Sequence, residues 1–223
     1  MKKYELTTEC KEFLGRKLYR IKALTSFSDV KEGDLGGWIE KEENLSQEGN
    51  TWVYDNAKVC DNARIYDNAW VCDNAWVGDN AWVYDNAWVY DNAWVGDNAK
   101  VCDNAWVYDN AWVGDNAKVY GDSWVCGNAW VGDNAKVYGD SWVCGNAEIK
   151  KKTHLLEIGF IGSRDDVTTF FRTKDKEIFV KCGCFSGNID EFEKQVQKVH
   201  GDDKHGRVYA LAIAMAREQI ELD

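Results

Sequence analysis

The sequence predicts a mainly β fold: a triangular parallel β-helix of 18-residue coils over residues 51–149, an N-terminal cap over 1–50 and a small α+β domain over 150–223. Three observations carry this reading. Every sixth residue from Val53 to Ile149 is Val or Ile. Two residues before each stands a small one, Ala in most units and Thr51, Ser123 or Ser141 in the others. The slot just before the aliphatic residue sorts with a second period of 18.

The unit reads Ala-Trp-Val-Tyr-Asp-Asn. Ala and Val stand two apart, so in a strand they share one face while the residue between them points the other way. Asp-Asn, or Gly-Asp and Gly-Asn, then supplies a corner, because these residues tolerate left-handed backbone angles. With three strands to a coil, residues 18 apart stack. The first face then carries Trp52, Trp70, Trp88, Trp106, Trp124 and Trp142. The second carries Lys58, Trp76, Trp94, Trp112, Trp130 and Glu148, and the third Arg64, Trp82, Lys100, Lys118 and Lys136. After the aliphatic residue, the second face has Gly78, Gly96, Gly114 and Gly132. A six-residue unit has no reason to sort this way unless the coil is the structural unit. Nearly six coils at about 4.8 Å each give a rod roughly 27 Å long. Its stability is a sum of coil–coil interfaces, and stacked corner Asn residues can form amide ladders.

Before the repeat, Leu18–Leu24 reads as a strand and Gly33, Gly36 and Gly37 as a turn-rich approach. Trp38-Ile39 and Leu45 keep the six-residue spacing, then a two-residue slip precedes Val53. Such a cap covers strand edges that would otherwise template association. After the repeat, Lys150–Lys152 reads as a junction, and His154–Ile161, Val167–Arg172 and Glu177–Cys184 as strands. Asn188 or Asp190 caps a helix with Ile189, Phe192, Val196 and Val199 on one face. Gly201-Asp202-Asp203 breaks it, and a second helix over about 208–222 sets Tyr209, Ala212, Ile213, Ala216 and Ile220 on one side.

Residues 51–149 resemble the hexapeptide repeat of left-handed β-helix proteins, in which an aliphatic residue and a small residue four positions on recur every six. That resemblance implies the left hand; the usual rule for parallel crossovers would favour the right. The segments Gly33-Asp-Leu-Gly-Gly-Trp-Ile-Glu40 and Glu42-Glu-Asn-Leu-Ser46 resemble hexapeptide-repeat proteins of bacteriophages and prophages. Ile161-Gly-Ser-Arg164, Cys182-Gly-Cys-Phe-Ser-Gly187 and Val199-His-Gly201 resemble their tails.

The 223 residues are 45% hydrophobic and 29% charged, with 12 Trp, 8 Cys, no Pro and a net charge of −11. That excludes wholesale disorder. The acidic balance argues against direct binding of nucleic acid or an anionic membrane. Residues 51–149 hold five basic against fifteen acidic residues, so the negative charge is mostly corner Asp. The start of the chain lacks an apolar signal run, and no stretch approaches a membrane span, which points to the cytoplasm, of the host cell if the chain is phage-encoded. There the cysteines are expected as thiols. Cys60, Cys72, Cys102, Cys126 and Cys144 share one repeat slot with Tyr and Gly, so they read as structural thiols; neither a metal nor a cofactor is called for.

Many left-handed β-helix proteins are acyltransferases with a histidine general base and a trimeric arrangement. Here the only histidines are His154, His200 and His205, all outside the repeat, and neither Trp nor Asp replaces a base poised near neutral pH. In the tail, Cys182, Cys184 and His200 invite a metal or Cys–His nucleophile reading against the plainer one of buried thiols. Ser163 and Arg164 form a turn suited to an anion. The sharper surface signal is the tryptophans: Trp70, Trp88, Trp106 and Trp124 on one face, Trp76, Trp94, Trp112 and Trp130 on another. Either the rings stack flat on one another, or a second subunit or ligand covers them, because exposed columns would exceed the largest apolar patch usual on a monomer. The reading is a non-enzymatic phage-type scaffold, a homo-oligomer with a trimer implied by resemblance. It presents the C-terminal domain and sequesters a host protein or a small nucleotide to counter host defence. The alternatives are an acyltransferase with an unusual base, a Cys/His-dependent activity in the tail, and nucleic-acid mimicry by the corner aspartates.

Overall fold

In the computed structural model, which describes residues 2–223, the repeat is a parallel β-solenoid of about six 18-residue coils. Its seventeen strands, β4 (Trp52–Val53) to β20 (Glu148–Ile149), are each two residues long. Pairing is in register one coil apart, as Trp88↔Trp106, Trp94↔Trp112 and Lys100↔Lys118. The three columns of the sequence are therefore the three lateral sheets. Each Val or Ile of the six-residue series is buried with the small residues before it, forming one continuous thin core.

The corners explain the Asp–Gly interchange. Asp55 to Asp115, every sixth residue, hold φ between 49° and 60°, and Gly121, Gly127, Gly139 and Gly145 take the same corner at +64° to +79°. Corner carboxylates also tie coils together. Asp79, Asp97 and Asp115 each accept from the backbone N–H of the residue 18 positions on, at 3.1, 3.0 and 2.9 Å. Beside them run amide ladders, Asn50–Asn68–Asn86–Asn104 and Asn62–Asn80–Asn98–Asn116, with links of 3.1–3.3 Å.

The cap is a hairpin, β1 (Tyr4–Phe13) and β2 (Arg16–Ala23), followed by β3 (Leu35–Ile39), and all three extend the second-face sheet past the first coil. Strand β1 escaped the sequence reading because its residues are mostly polar; it is an edge strand with much of its length exposed. The approach at Gly36 and Gly37 is not a turn. Both glycines lie in β3, where a Cβ would strike the Trp52 ring or the Val53 side chain. The slip is real: Ile39 pairs with Val59 and Leu45 with Ile65, each 20 residues on, so the entry coil is two residues longer.

The C-terminal domain is an antiparallel sheet of β21 (Leu155–Ile161), β22 (Asp166–Arg172), β23 (Ile178–Cys182) and β24 (Phe185–Asn188), with α1 (Ile189–His200) and α2 (Lys204–Gln219). Its two faces serve different cores. Leu155 and Phe171 join the solenoid core and plug its last coil, while Phe170 and Val180 join the helices. Asn188 caps α1 in a reciprocal pair with Glu191. Three expectations are corrected. The strand expected over Glu177–Cys184 ends at Cys182, because Gly183, at φ +54°, turns the chain into β24. The second helix starts at Lys204, capped by Asp203. Val199 is 60% exposed, and the buried residues of α1 are Ile189, Phe192 and Val196.

Candidate functional site

The lateral faces differ in how their tryptophans lie. On the first face Trp88, Trp106 and Trp124 stack parallel, with centroids 5.1 Å apart. The neighbouring slot holds Tyr90 and Tyr108, which stack at 5.0 Å and set their rings edge-on to Trp106 and Trp124. On the second face Trp76, Trp112 and Trp130 fold back over their own strands: a Cβ on Gly78, Gly114 or Gly132 would fall within their rings, whereas Gly96 lies against the Trp76 ring rather than Trp94. The glycine column seen in sequence is the bed for those rings.

Covering of the tryptophans is uneven. Trp52 and Trp76 are buried, Trp52 beside Tyr4 and Phe27 and Trp76 in a cluster with Leu18, Trp38 and Cys60 of the capped end. Further along, Trp70, Trp88, Trp106, Trp124, Trp112 and Trp130 are half-buried, and Trp94 is 43% exposed. Stacking thus hides part of each ring but leaves both strips open to solvent.

The third face is different. It carries Arg64, Trp82, Lys100, Lys118 and Lys136, with the Lys100 ammonium 4.5 Å from the Trp82 ring. Two clefts lie along it. One, of about 510 Å³, is lined by Glu42, Glu43, Leu45, Arg64, Tyr66 and Trp82 among others. The second, of about 290 Å³, is lined by Tyr84, Lys100, Cys102, Lys118, Tyr120 and Lys136.

In the tail, four of the five sequence-selected residues lie near the β23–β24 hairpin or Tyr209. Ser163 and Arg164 occupy an exposed turn, and the Arg164 guanidinium lies against Gly183. The Cys182 thiol accepts from the Thr168 hydroxyl at 3.2 Å and stands 3.6 Å from the Tyr209 hydroxyl. Burial, then the Cys182 contact, push the Tyr209 hydroxyl above its ordinary range. His200 packs on the Tyr209 ring and pairs with Asp203 at 3.5 Å. The partners of the Cys182 sulfur are hydroxyls, and those of His200 are Tyr209, His205 and Asp203, so the two do not form a thiolate–imidazole pair. Cys184 is exposed in the hairpin turn and does not share a strand face with Cys182.

The repeat cysteines are not alike. Burial pushes the Cys60 and Cys72 thiols up to about 12. Cys126 is the exception: its contact with Cys144, one coil on, draws its thiol below the ordinary value, while the same contact pushes Cys144 up. The six-residue pattern hid this pair, because only the 18-residue stacking makes them neighbours. Two groups bring potential metal-ligand atoms within 4.8 Å: Asp85, Cys102 and Asp103, and His154, Glu221 and Asp223. In the first, Asp85 and Asp103 accept backbone N–H groups. In the second, Lys151 already binds Glu221 at 2.7 Å and Asp223 at 3.5 Å. Among the described residues no helix is long and apolar enough to cross a membrane.

Residues 57–73 and 63–79 match the family described as the YdcK beta solenoid repeat. Over 63 residues the chain is 44% identical to the Escherichia coli (strain K12) protein named "Uncharacterized acetyltransferase YdcK". The match covers 25% of this chain and 19% of that protein, so the chain spans only a small part of the relative's length. What these likenesses and the structure share is the architecture: this chain is a repeat β-solenoid protein, similar over residues 57–79 to the YdcK solenoid repeat.

Proposed function

We propose that the protein is a non-catalytic binding scaffold whose two tryptophan faces dock a second copy of the same chain. The supporting observation is the uneven covering. Where the cap supplies residues, Trp52 and Trp76 are buried; along the middle of the rod the same slots stay half-open over several coils. Repeated indole area of this kind is what an interface buries. The oligomer, a trimer by the resemblance, then presents several C-terminal domains. In the phage-type setting the flanks resemble, the ligand is a host protein or a nucleotide, held to counter host defence.

The mass in solution tests this. We expect a multiple of the 25.5 kDa chain, reduced to the monomer by Trp106→Lys, which sets a charge in the centre of the first face. A monomeric wild-type chain at tens of micromolar would overturn the self-docking assignment.

The name of the Escherichia coli relative favours a second reading, acyl transfer. The likeness covers 19% of that protein, the family match falls on coils that carry architecture, and the solenoid lacks a histidine to act as base. Thiol release from acetyl-CoA with an amine or alcohol acceptor decides between them; sustained turnover would sink the non-catalytic reading. Mimicry of nucleic acid is less well supported, since corner carboxylates are bonded to the next coil and recur once per coil of about 4.8 Å, not every 3.4 Å per strand.

A further inference from the structure

The third face stands apart from the tryptophan faces, and the inference drawn on it does not depend on what covers them. Five basic residues occur in 51–149, and four of them, Arg64, Lys100, Lys118 and Lys136, lie on this face. The fifth, Lys58, lies over the Phe13 ring of the cap. The otherwise acidic rod therefore shows its exposed positive charge on one side.

Lys100, Lys118 and Lys136 pair in register on consecutive coils, which sets their backbones about 4.8 Å apart. Like charges directly opposite on neighbouring strands destabilise a sheet. The corner aspartates do not relieve this by direct pairing: among the described residues, none of the three lysines forms an ion pair. Instead Asp97, Asp115 and Asp103 accept backbone N–H groups of the next coil at 3.0, 2.9 and 2.9 Å. The cleft of about 290 Å³ over this column is lined by all three lysines with Tyr84, Tyr120 and Cys102; the Asp85 and Asp103 carboxylates beside the Cys102 thiol accept backbone N–H groups of the next coil. Ammonium and phenol groups make it a lining of hydrogen-bond donors.

We propose that this cleft binds a linear phosphate chain, the phosphoanhydride group of a free polyphosphate or of a nucleotide. The occupant must be narrow, because aspartate corners run along both sides and repel a broad polyanion such as a duplex or a membrane surface. An extended acidic peptide fits poorly. Its same-side carboxylates recur every ~6.7 Å, out of step with lysines every ~4.8 Å. A phosphate chain carries charged oxygens on every unit, so each flexible lysine finds a partner whatever the register. A nucleotide would lay its base toward Tyr66 and Trp82, which line the neighbouring cleft on the same face.

The test is calorimetric titration of the full chain with inorganic tripolyphosphate, ATP and an oligoglutamate of equal charge, at 50 and 150 mM salt. Tripolyphosphate is expected to bind, and Lys118→Gln to weaken it by about tenfold or more, the usual worth of one charged hydrogen bond. Lys118→Arg should retain binding. The triple variant Lys100→Gln/Lys118→Gln/Lys136→Gln should abolish it with an unchanged circular dichroism spectrum. Lys174→Gln, on an exposed turn of the C-terminal domain, should match the wild type. ATP binding tighter than tripolyphosphate assigns the chain to a nucleotide; equal or weaker ATP binding assigns a free polyphosphate. No heat with either phosphate at 50 mM salt, unchanged affinity in the triple variant, or equal affinity for oligoglutamate would overturn the proposal.

Discussion

At the scale of single residues, the solenoid depends on side chains that have no meaning outside their stack. Gly114 is an example. Its flexibility is not what the site needs; the indole of Trp112 occupies the space a Cβ would take. Gly114→Ala should therefore cost about 1–3 kcal/mol by forcing the ring off its bed, and a urea titration would measure it. Adding Trp112→Ala should remove most of that penalty, because the clash has one partner. The buried thiols set a pH dependence. Cys60 and Cys72 ionise near 9 when unfolded and are pushed up to about 12 by burial. Their contribution is intact below pH 9 and is lost as pH rises from 9 toward 12. Tyr66 and Tyr90, also pushed up to about 12 by burial, add in the same direction above pH 10. Urea midpoints from pH 8 to 11 should fall, and less steeply in Cys60→Ala/Cys72→Ala. Equal slopes would remove the thiols as a cause.

At the scale of elements, strands of two residues cannot stand alone, so each coil relies on those above and below and the ends need separate devices. The N-terminal end is closed by continuing a lateral sheet, with the Tyr4 hydroxyl donating to the Leu45 carbonyl at 2.7 Å. The C-terminal end is closed by a plug, in which β22 points Phe171 into the solenoid core and Phe170 into its own domain. Arg172, bonded to Glu148, and the Lys174 N–H, donating to the Asn146 carbonyl at 3.0 Å, fasten the joint. Phe171→Ala opens the last coil and should cost about 3–5 kcal/mol. The damage should appear first as faster amide exchange in the terminal coils, since stability here is a sum of neighbour terms. Uniform loss along the rod would contradict that picture.

At the scale of the whole molecule, one rod carries three chemically different sides on a common backbone. Two are aromatic and one is basic, while the corners between them are acidic. The pitch of the coil sets the spacing of all of them, so any partner meets features at intervals of about 4.8 Å. The self-docking proposed for the aromatic sides would leave the basic side open. The two proposals therefore separate experimentally: Trp106→Lys should change mass without changing phosphate binding, and Lys118→Gln should do the reverse.

The repeat, the coil length, the contents of each face and the two-residue slip at the entry are legible in the amino-acid order, because an in-register stack copies periodicity directly into space. The helices of the tail were legible from Asn188 and the spacing of Phe192, Val196, Tyr209 and Ile213, but not the start of the second at Lys204 nor the exposure of Val199. That Gly36 and Gly37 admit a close approach, that β1 exists at all, and that Cys182 and Cys184 part company at a turn emerges only from the folded chain. Those outcomes depend on contacts between segments distant in sequence, such as Gly36 with Trp52. The same holds for the candidate sites. The lysine column could be read as a list, but that tyrosines join it in one cleft while the corner aspartates bond to the next coil shows only in the packing. Periodicity names the residue in each slot; only packing sets which way its side chain turns and what is left for it to bind.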